Sequence, residues 1–436
     1  MSTVNADASG ASTPAPRPVS GVVPVVPQRP RSWRTPVLLA VASLITLIVF
    51  GLLGRDASVS FVWSSGGDAV FAPTTGSSRA IGIGAGVVSL AATAVAFWLT
   101  AGRRRVSVWL SIVVGVAFLV GLTAWVGAGA SVPVVFLLTG TISLSTAIVF
   151  GALAGVIGER VGIINIAIEA QLLAGAFTAA IVASTTGSWV AALVAAMVSG
   201  ALIAIVLAAF AIVYLVDQVI VGVVLIALVT AVTNFLYSAV LAPNSSEFNN
   251  PGTLPKIRIP LLADIPVLGP VFFDQRLTTY LMFVLVPLTW FVLFRTKWGL
   301  RIRALGEHPL AADTVGINVN RWRFWTVTIA GMIAGLGGAS LTIGAVGAFV
   351  REMSAGQGFI ALAAVILGRW NPWGAALAAL LFGFASNFRI WAGQVGSTIP
   401  PEIIGMTPYV VTILAVAVVA GRVIGPKAAG KPYLKE

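Results

Sequence analysis

The sequence predicts an all-α protein, a polytopic membrane helix bundle of about 10–12 crossings. Composition is the first reason. Of 436 residues, 58% are hydrophobic and 9% charged, and the mean hydropathy is +1.00. A soluble domain needs roughly 25% charged residues to cover its surface. Periodic length is the second: apolar runs of about 20 residues recur, enough to cross a hydrocarbon core about 30 Å thick. The third is the sorting of basic residues to one side of those runs. A soluble enzyme, a nucleic-acid binder and a disordered chain are thereby excluded. Zero cysteines and a single histidine, His308, leave no thiol chemistry, disulfide scaffold or transition-metal cluster. The formal charge of +12 is a topology signal here.

The expected spans are 35–53, 80–101, 106–128, 134–157, 161–183, 189–213, 219–241, 277–294, 324–348 and 403–421. The stretch 358–390 is apolar but interrupted at Arg369–Trp370–Asn371–Pro372. It reads as a broken or re-entrant segment, either two thin spans or a hairpin, and parity is the same in both cases. Residues 1–33, rich in Pro, Ser, Ala and Val, read as a disordered cytoplasmic tail rather than a cleaved signal peptide. An N-terminal extension with three transmembrane helices follows over 34–130, then the main bundle over 131–421 and a second cytoplasmic tail over 422–436. With the N-terminus inside, the exterior keeps only Arg55, Arg79, Lys256, Arg258, Arg276, Arg351 and Arg389 of the 26 basic residues. That partition predicts a multi-pass protein with both termini cytoplasmic.

Polar residues inside apolar runs are expensive and informative. GERVGIINIAIEAQLLAGA, from Gly158, carries Asn165, Glu169 and Gln171. As one continuous helix, the i, i+4 spacing puts Asn165 and Glu169 on one face and Gln171 elsewhere. A buried carboxylate costs roughly 2.5–3.5 kcal/mol on insertion scales unless it meets water, a cation or a donor. Two readings remain: these residues line a translocation path or brace a broken helix beside it, or Glu169 pairs with Asn165 or a neighbouring backbone group as interhelical glue. Thr139, Thr141, Ser143, Ser145 and Thr146 in the preceding run read as back-bonding side chains that permit close packing. Gly151-x-x-x-Gly155 and Gly331-x-x-x-Gly335 read as close helix contacts.

Two loops are patterned. Between 295 and 323, Pro309 suits a helix start, Leu310 to Val315 a short helix, and Gly316 its end. Leu310, Ala311, Ala312 and Val315 have no evident burial partner in such a loop, so it reads as a docking element or as a charged topology loop. Residues 242–276 hold six prolines, including Pro251 and Pro260, and read as an ordered irregular exterior cap.

GERVGIINIAIEAQLLAGA, ALGEHPLAADTVGINV and GQGFIALAAVILGRWNPWGA (from Gly356) together resemble membrane subunits of ATP-binding-cassette importers, in the branch serving branched-chain amino acids, simple sugars and nucleosides. The likeness runs in order from about residue 133 onward, which makes 131–421 the permease core. IPLLADIPVLGPVFF, from Ile259, and the tail GKPYLKE are most similar to the nucleoside branch. The resemblance implies a cytoplasmic coupling helix for an ATPase, mapped onto Ala311, Ala312, Asp313 and Gly316. Asp313 follows the two alanines where a Glu precedes them in the broader pattern, and Ala170 stands where the nucleoside branch usually has Gly.

The resemblance further implies a bacterial plasma-membrane permease, without catalytic residues or a cofactor of its own, translocating nucleosides or related simple sugars. Its partners would be a cytoplasmic ATPase carrying ATP and Mg, a second related permease subunit, an extracytoplasmic solute-binding protein and the lipid bilayer, with no nucleic acid. The competing reading is a self-sufficient secondary transporter of small polar solutes, which the chain supports poorly because it shows no inverted repeat and no charge relay. A membrane enzyme lacks an evident nucleophile–base or metal constellation.

Overall fold

The computed structural model describes residues 33–64, 71–104, 106–395 and 425–434. The chain begins with α1 (Arg34–Leu52), β1 (Ser58–Val62), β2 (Thr74–Ser77), α2 (Ser78–Ala101), α3 (Val108–Val126) and β3 (Ser131–Pro133). Next come α4 (Val134–Arg160), α5 (Ile168–Thr186), α6 (Trp189–Val213) and α7 (Gln218–Leu241). The loop beyond holds a single turn, α8 (Ser245–Phe248), and the antiparallel pair β4 (Lys256–Arg258) and β5 (Asp274–Arg276). The chain continues through α9 (Leu277–Arg295), α10 (Lys297–Glu307), α11 (Pro309–Thr314), α12 (Val319–Val346), α13 (Gln357–Leu367) and α14 (Pro372–Gln394).

Among the described residues, ten helices are long and apolar enough to cross a membrane: α1 to α7, α9, α12 and α14. The first nine of these coincide with expected spans. The span expected at 403–421 and residues 1–32 of the tail expected over 1–33 lie outside the described residues.

One expected element is corrected, and the interruption expected within 358–390 falls at the expected residues. The run expected as one helix over 161–183 starts with irregular turns, and α5 begins only at Ile168. Val161–Ala167 is apolar because it is buried in protein, where non-helical backbone is tolerated if its polar groups find partners. The buried Gln218 supplies one partner, its Oε1 accepting from the Ile164 N–H at 2.8 Å. The 358–390 stretch is one short helix and one full-length helix. The 11 residues of α13 rise about 16 Å, half a bilayer. A tight turn follows, with Arg369 and Trp370 in the left-handed region at φ 55° and 53°. Asn371 then caps α14, its Oδ1 accepting from Trp373 N at 3.0 Å, and Pro372 occupies the first helical position.

Helices α4, α5, α12 and α14 are buried over most of their length and form the centre, while the other spans turn most of their surface outward. The main core includes Phe150, Leu153, Ile168, Leu172, Leu207 and Phe382. A separate small core joins α1 to α3 through Leu39, Ala92, Ala96 and Val114. A bridging cluster of Val59, Val132, Leu137, Phe388 and Trp391 ties the two together beside the β2–β1–β3 sheet.

The two glycine pairs sit where backbones meet. Gly151 faces Ala361 and Gly155 faces Val365 of α13. Gly331 and Gly335 lie on Gly200 and Ala196 of α6, and a Cβ at Gly335 would come within 2.0 Å of the Ala196 carbonyl. Only a hydrogen fits at that crossing. Gly335→Ala is therefore expected to lower stability by about 1–3 kcal/mol by forcing α6 and α12 apart, read as a lower unfolding temperature of the purified protein in detergent. An unchanged midpoint would contradict the crossing.

Candidate functional site

The chain turns at two interruptions, and they meet at the start of α5. One is the 161–167 turn that leads into α5. The other is the stretch from Val346 to α13, which carries Gly347 and Gly356 in the left-handed region. The two helices that follow, α5 and α13, start partway along the bundle, and the first N–H groups of each have no intrahelical acceptor.

At the start of α13, Glu169 meets that need. It is buried in the first turn of α5 and reaches across to the start of α13. Its Oε1 accepts from Ser354 Oγ at 2.6 Å and from Gly356 N at 2.8 Å, and its Oε2 accepts from Gly358 N at 2.6 Å. The carboxylate thus lies at the positive ends of two helices at once. The approach is so close that a Cβ at Gly358 would fall 2.4 Å from the Glu169 backbone nitrogen.

Asn165 is not on the face of Glu169, as continuous helical spacing predicted. It lies in the irregular turn, where its Nδ2 donates to Gln171 Oε1 at 3.0 Å, and both side chains are fully buried. Seven non-helical residues before Ile168 rotate Asn165 away and bring Gln171 to it. The three polar residues therefore form two separate bonded groups. Ser354, Gly356 and Gly358 were not singled out from sequence, although Gly356-x-Gly358 ahead of an apolar run is a usable sign of a backbone approached closely.

The other end of α13 is held too. The buried Glu159 accepts from the Trp370 indole N–H through Oε2, and Arg160 Nε donates to the Trp370 carbonyl at 3.1 Å. Basic side chains gather at this end of the bundle and rest on aromatic rings: Arg160 and Arg303 over Phe294, Arg295 over Trp290, Arg301 over Trp322.

Helix α11 lies at the same end. Gly316 (φ 84°) ends it, with its N–H bonded to Asp313 O and Ile317 N to Ala312 O. Leu310 and Val315 are 54% and 75% exposed, and Ala311 is exposed. Ala312, expected to lack a burial partner, is 4% exposed and belongs to the main core. The available face is thus Leu310, Ala311 and Val315. The hydroxyls of Thr141, Ser145 and Thr146 bond back to their own helix, at Leu137 O, Thr141 O and Ile142 O.

The fold is a multi-pass membrane helix bundle, built on interrupted helices around a central four. Residues 134–416 match the family described as branched-chain amino acid transport system, permease component, and the chain belongs to that family as a plasma-membrane permease subunit. It is 40% identical over 309 residues to the guanosine ABC transporter permease protein NupQ of Bacillus subtilis, covering 68% of this chain and 95% of that one. It is 37% identical over 300 residues to the nucleoside ABC transporter permease protein NupC of Lactococcus lactis, covering 67% and 94%. A putative glucose ABC transporter permease, TsgC13 of Haloferax volcanii, is 31% identical over 270 residues, covering 61% and 80%. No solved structure matches.

Glu169→Gln keeps the shape and one acceptor oxygen, but it loses the charge and turns an NH2 group onto one of the three donors, and is expected to cost about 1–3 kcal/mol. Glu169→Leu leaves three donors unpaired and is expected to cost about 3 kcal/mol or more. Thermal unfolding of the two variants checks the order. Equal stability of Leu and wild type would remove the carboxylate from the fold's support.

Proposed function

We propose that the chain is the permease subunit of an ATP-driven, binding-protein-dependent importer of nucleosides, with related simple sugars as the second solute class. The observation that carries this reading is the likeness to the guanosine and nucleoside permeases, which covers about two thirds of this chain and nearly all of theirs. The secondary-transporter reading draws no support from any of these relatives. Under the proposal, ATP and Mg bind to a cytoplasmic ATPase, a second related permease completes the pathway, and an extracytoplasmic binding protein delivers solute. This chain supplies the route and no catalytic group. Residues 34–130 are an added three-helix unit, a division supported by the separate small core of α1 to α3 and by a family match that begins at residue 134.

Glu169, with Asn165 and Gln171, acts as bracing at the interrupted helices rather than as solute ligands. Every oxygen of Glu169 is already engaged by Ser354, Gly356 and Gly358. Helix α11 is the coupling element, and its exposed Leu310, Ala311 and Val315 form the face an ATPase groove would cover, with Asp313 and Gly316 shaping its end.

Two experiments test this. In proteoliposomes holding the ATPase, the sister permease and the binding protein, guanosine uptake is expected to require ATP. Ala311→Arg is expected to abolish both uptake and copurification of the ATPase while the protein still reaches the membrane. ATP-independent guanosine uptake at the wild-type rate would sink the importer reading.

Both termini are proposed to be cytoplasmic. Supporting this, Trp33 at the start of α1 packs at a tilt against Phe97 near the end of α2, while residues 425–434 lie against Gly306 and Gly162 at the basic end. Reporter fusions at residues 20 and 430 should both report the cytoplasm. An exterior signal at 430 would reverse the proposed orientation.

A further inference from the structure

The segment 425–434 is short, polar in part, and held more firmly than a terminal tail needs to be. Ala428 N donates to Gly306 O at 2.8 Å, tying the segment to the end of α10 just before α11. Gly430 N donates to Gly162 O at 3.2 Å, tying it to the turn that leads into α5. Gly425 is seated on the Trp370 indole, where a Cβ would come within 2.9 Å of the ring. Tyr433, almost fully buried, shares with Asp313, Gly316, Asn318, Val319 and Asn320 a groove of about 430 Å³ beside α11.

A buried cation lies beneath it. Arg323 of α12 is 2% exposed, and its Nη1 donates to Lys431 O at 3.2 Å. Its Nε and Nη2 have no hydrogen-bond partner, and no carboxylate lies within 4.0 Å among the described residues. Burying a guanidinium without a counter-ion costs several kcal/mol, so an apolar side chain would serve packing better. What Arg323 adds is a rigid fork of donors, one of which holds the Lys431 carbonyl.

We infer that residues 425–434, anchored by Arg323, form a strap that links the surface helix α11 to the 160–164 turn and to the Trp370 break. The strap grips the two elements whose other ends converge on Glu169: the 160–164 turn continues into α5, and Trp370 terminates α13. Displacement of α10 and α11 is thereby passed to both interrupted helices together. Arg323 is a positioning residue in this device. The inference rests on the importer reading above for what drives α11, and on the contacts alone for the linkage itself.

The test uses the full complex in proteoliposomes with guanosine as solute, and the isolated full-length chain for hydrogen exchange. Arg323→Met, and Ala428→Pro, which deletes the N–H bonded to Gly306, are each expected to lower guanosine uptake per ATP hydrolysed about tenfold, within the usual span of coupling between sites. ATP hydrolysis by the assembled complex should persist, and Arg323→Lys should recover part of the loss. In the isolated chain, Ala428→Pro should quicken exchange in 160–164 and 357–370. Wild-type uptake per ATP in both Arg323→Met and Ala428→Pro overturns the strap. A fall of uptake and hydrolysis in proportion to complex lost also overturns it, because a role in assembly alone produces that pattern. Failure of the importer reading looks different: the unsubstituted complex then takes up no guanosine with ATP. The exchange experiment still decides the linkage in that case, and unchanged exchange at 160–164 and 357–370 overturns it.

Discussion

One carboxylate shared by two helix starts is the constraint from which the centre of this bundle follows. A helix that begins inside a bilayer exposes N–H groups to a medium that offers them nothing. Here α5 and α13 both start partway along the bundle, and Glu169 of one satisfies the leader of the other with three short hydrogen bonds. The carboxylate in turn avoids the cost of an isolated buried charge, because its field is matched by two helix dipoles and three donors. Neither interruption is tolerable alone. A continuous α5 would carry Glu169 with no donors, and an α13 without Glu169 would begin with bare N–H groups.

That shared requirement fixes distances elsewhere. The leader of α13 must touch the α5 backbone, which leaves no room for a side chain at Gly358. Helix α4 must then lie flat against the short helix, and Gly151 and Gly155 supply the flat side. At its other end α13 is held by Glu159 and Arg160 through Trp370. Pinned at both ends to α4 and α5, the short helix can move only with them. Helix α12 is pressed onto α6 at the Gly331–Gly335 crossing and packs in the same core. Large conformational change in such a unit proceeds by rotation of whole elements rather than by bending within it, because a close-packed interior resists continuous deformation.

Much of this was readable in the chain, and the parts that were not share a cause. Apolar runs located nine spans because length and hydropathy are local properties. Pro309 and Gly316 bounded α11, and the glycine pairs marked backbone contacts, for the same reason. The start of α5 was missed because Val161–Ala167 is as apolar as a helix would be; its irregularity depends on Gln218, a residue of α7. The partners of Glu169 lie more than 180 positions away in sequence, beyond any periodicity. Ala312 was read as exposed because its loop is charged, whereas the fold turns that one alanine into the core. Local chemistry announced that Glu169 needed donors. Only the fold decides which ones.

The basic end of the bundle shows how a topology signal coexists with function. Arg160, Arg295, Arg301 and Arg303 rest on aromatic faces, and among the described residues the ion pairs are instead on the Lys256–Asp274 and Arg258–Asp264 side of the chain. An aromatic face orients a guanidinium while leaving its charge unneutralised, so the positive potential that sets orientation is kept. A carboxylate partner would have cancelled it. Of the acidic residues at this end, Glu307 of α10 acts on Arg160 through its field alone, and Glu159 is turned to the Trp370 indole rather than to an arginine among the described contacts. Its carboxylate is thus spent on holding the helix break, and the neighbouring charges stay available to the membrane surface. Orientation and the support of α13 therefore draw on different groups at one place, which is why Glu159 and Arg160, adjacent in sequence, meet different atoms of the same tryptophan.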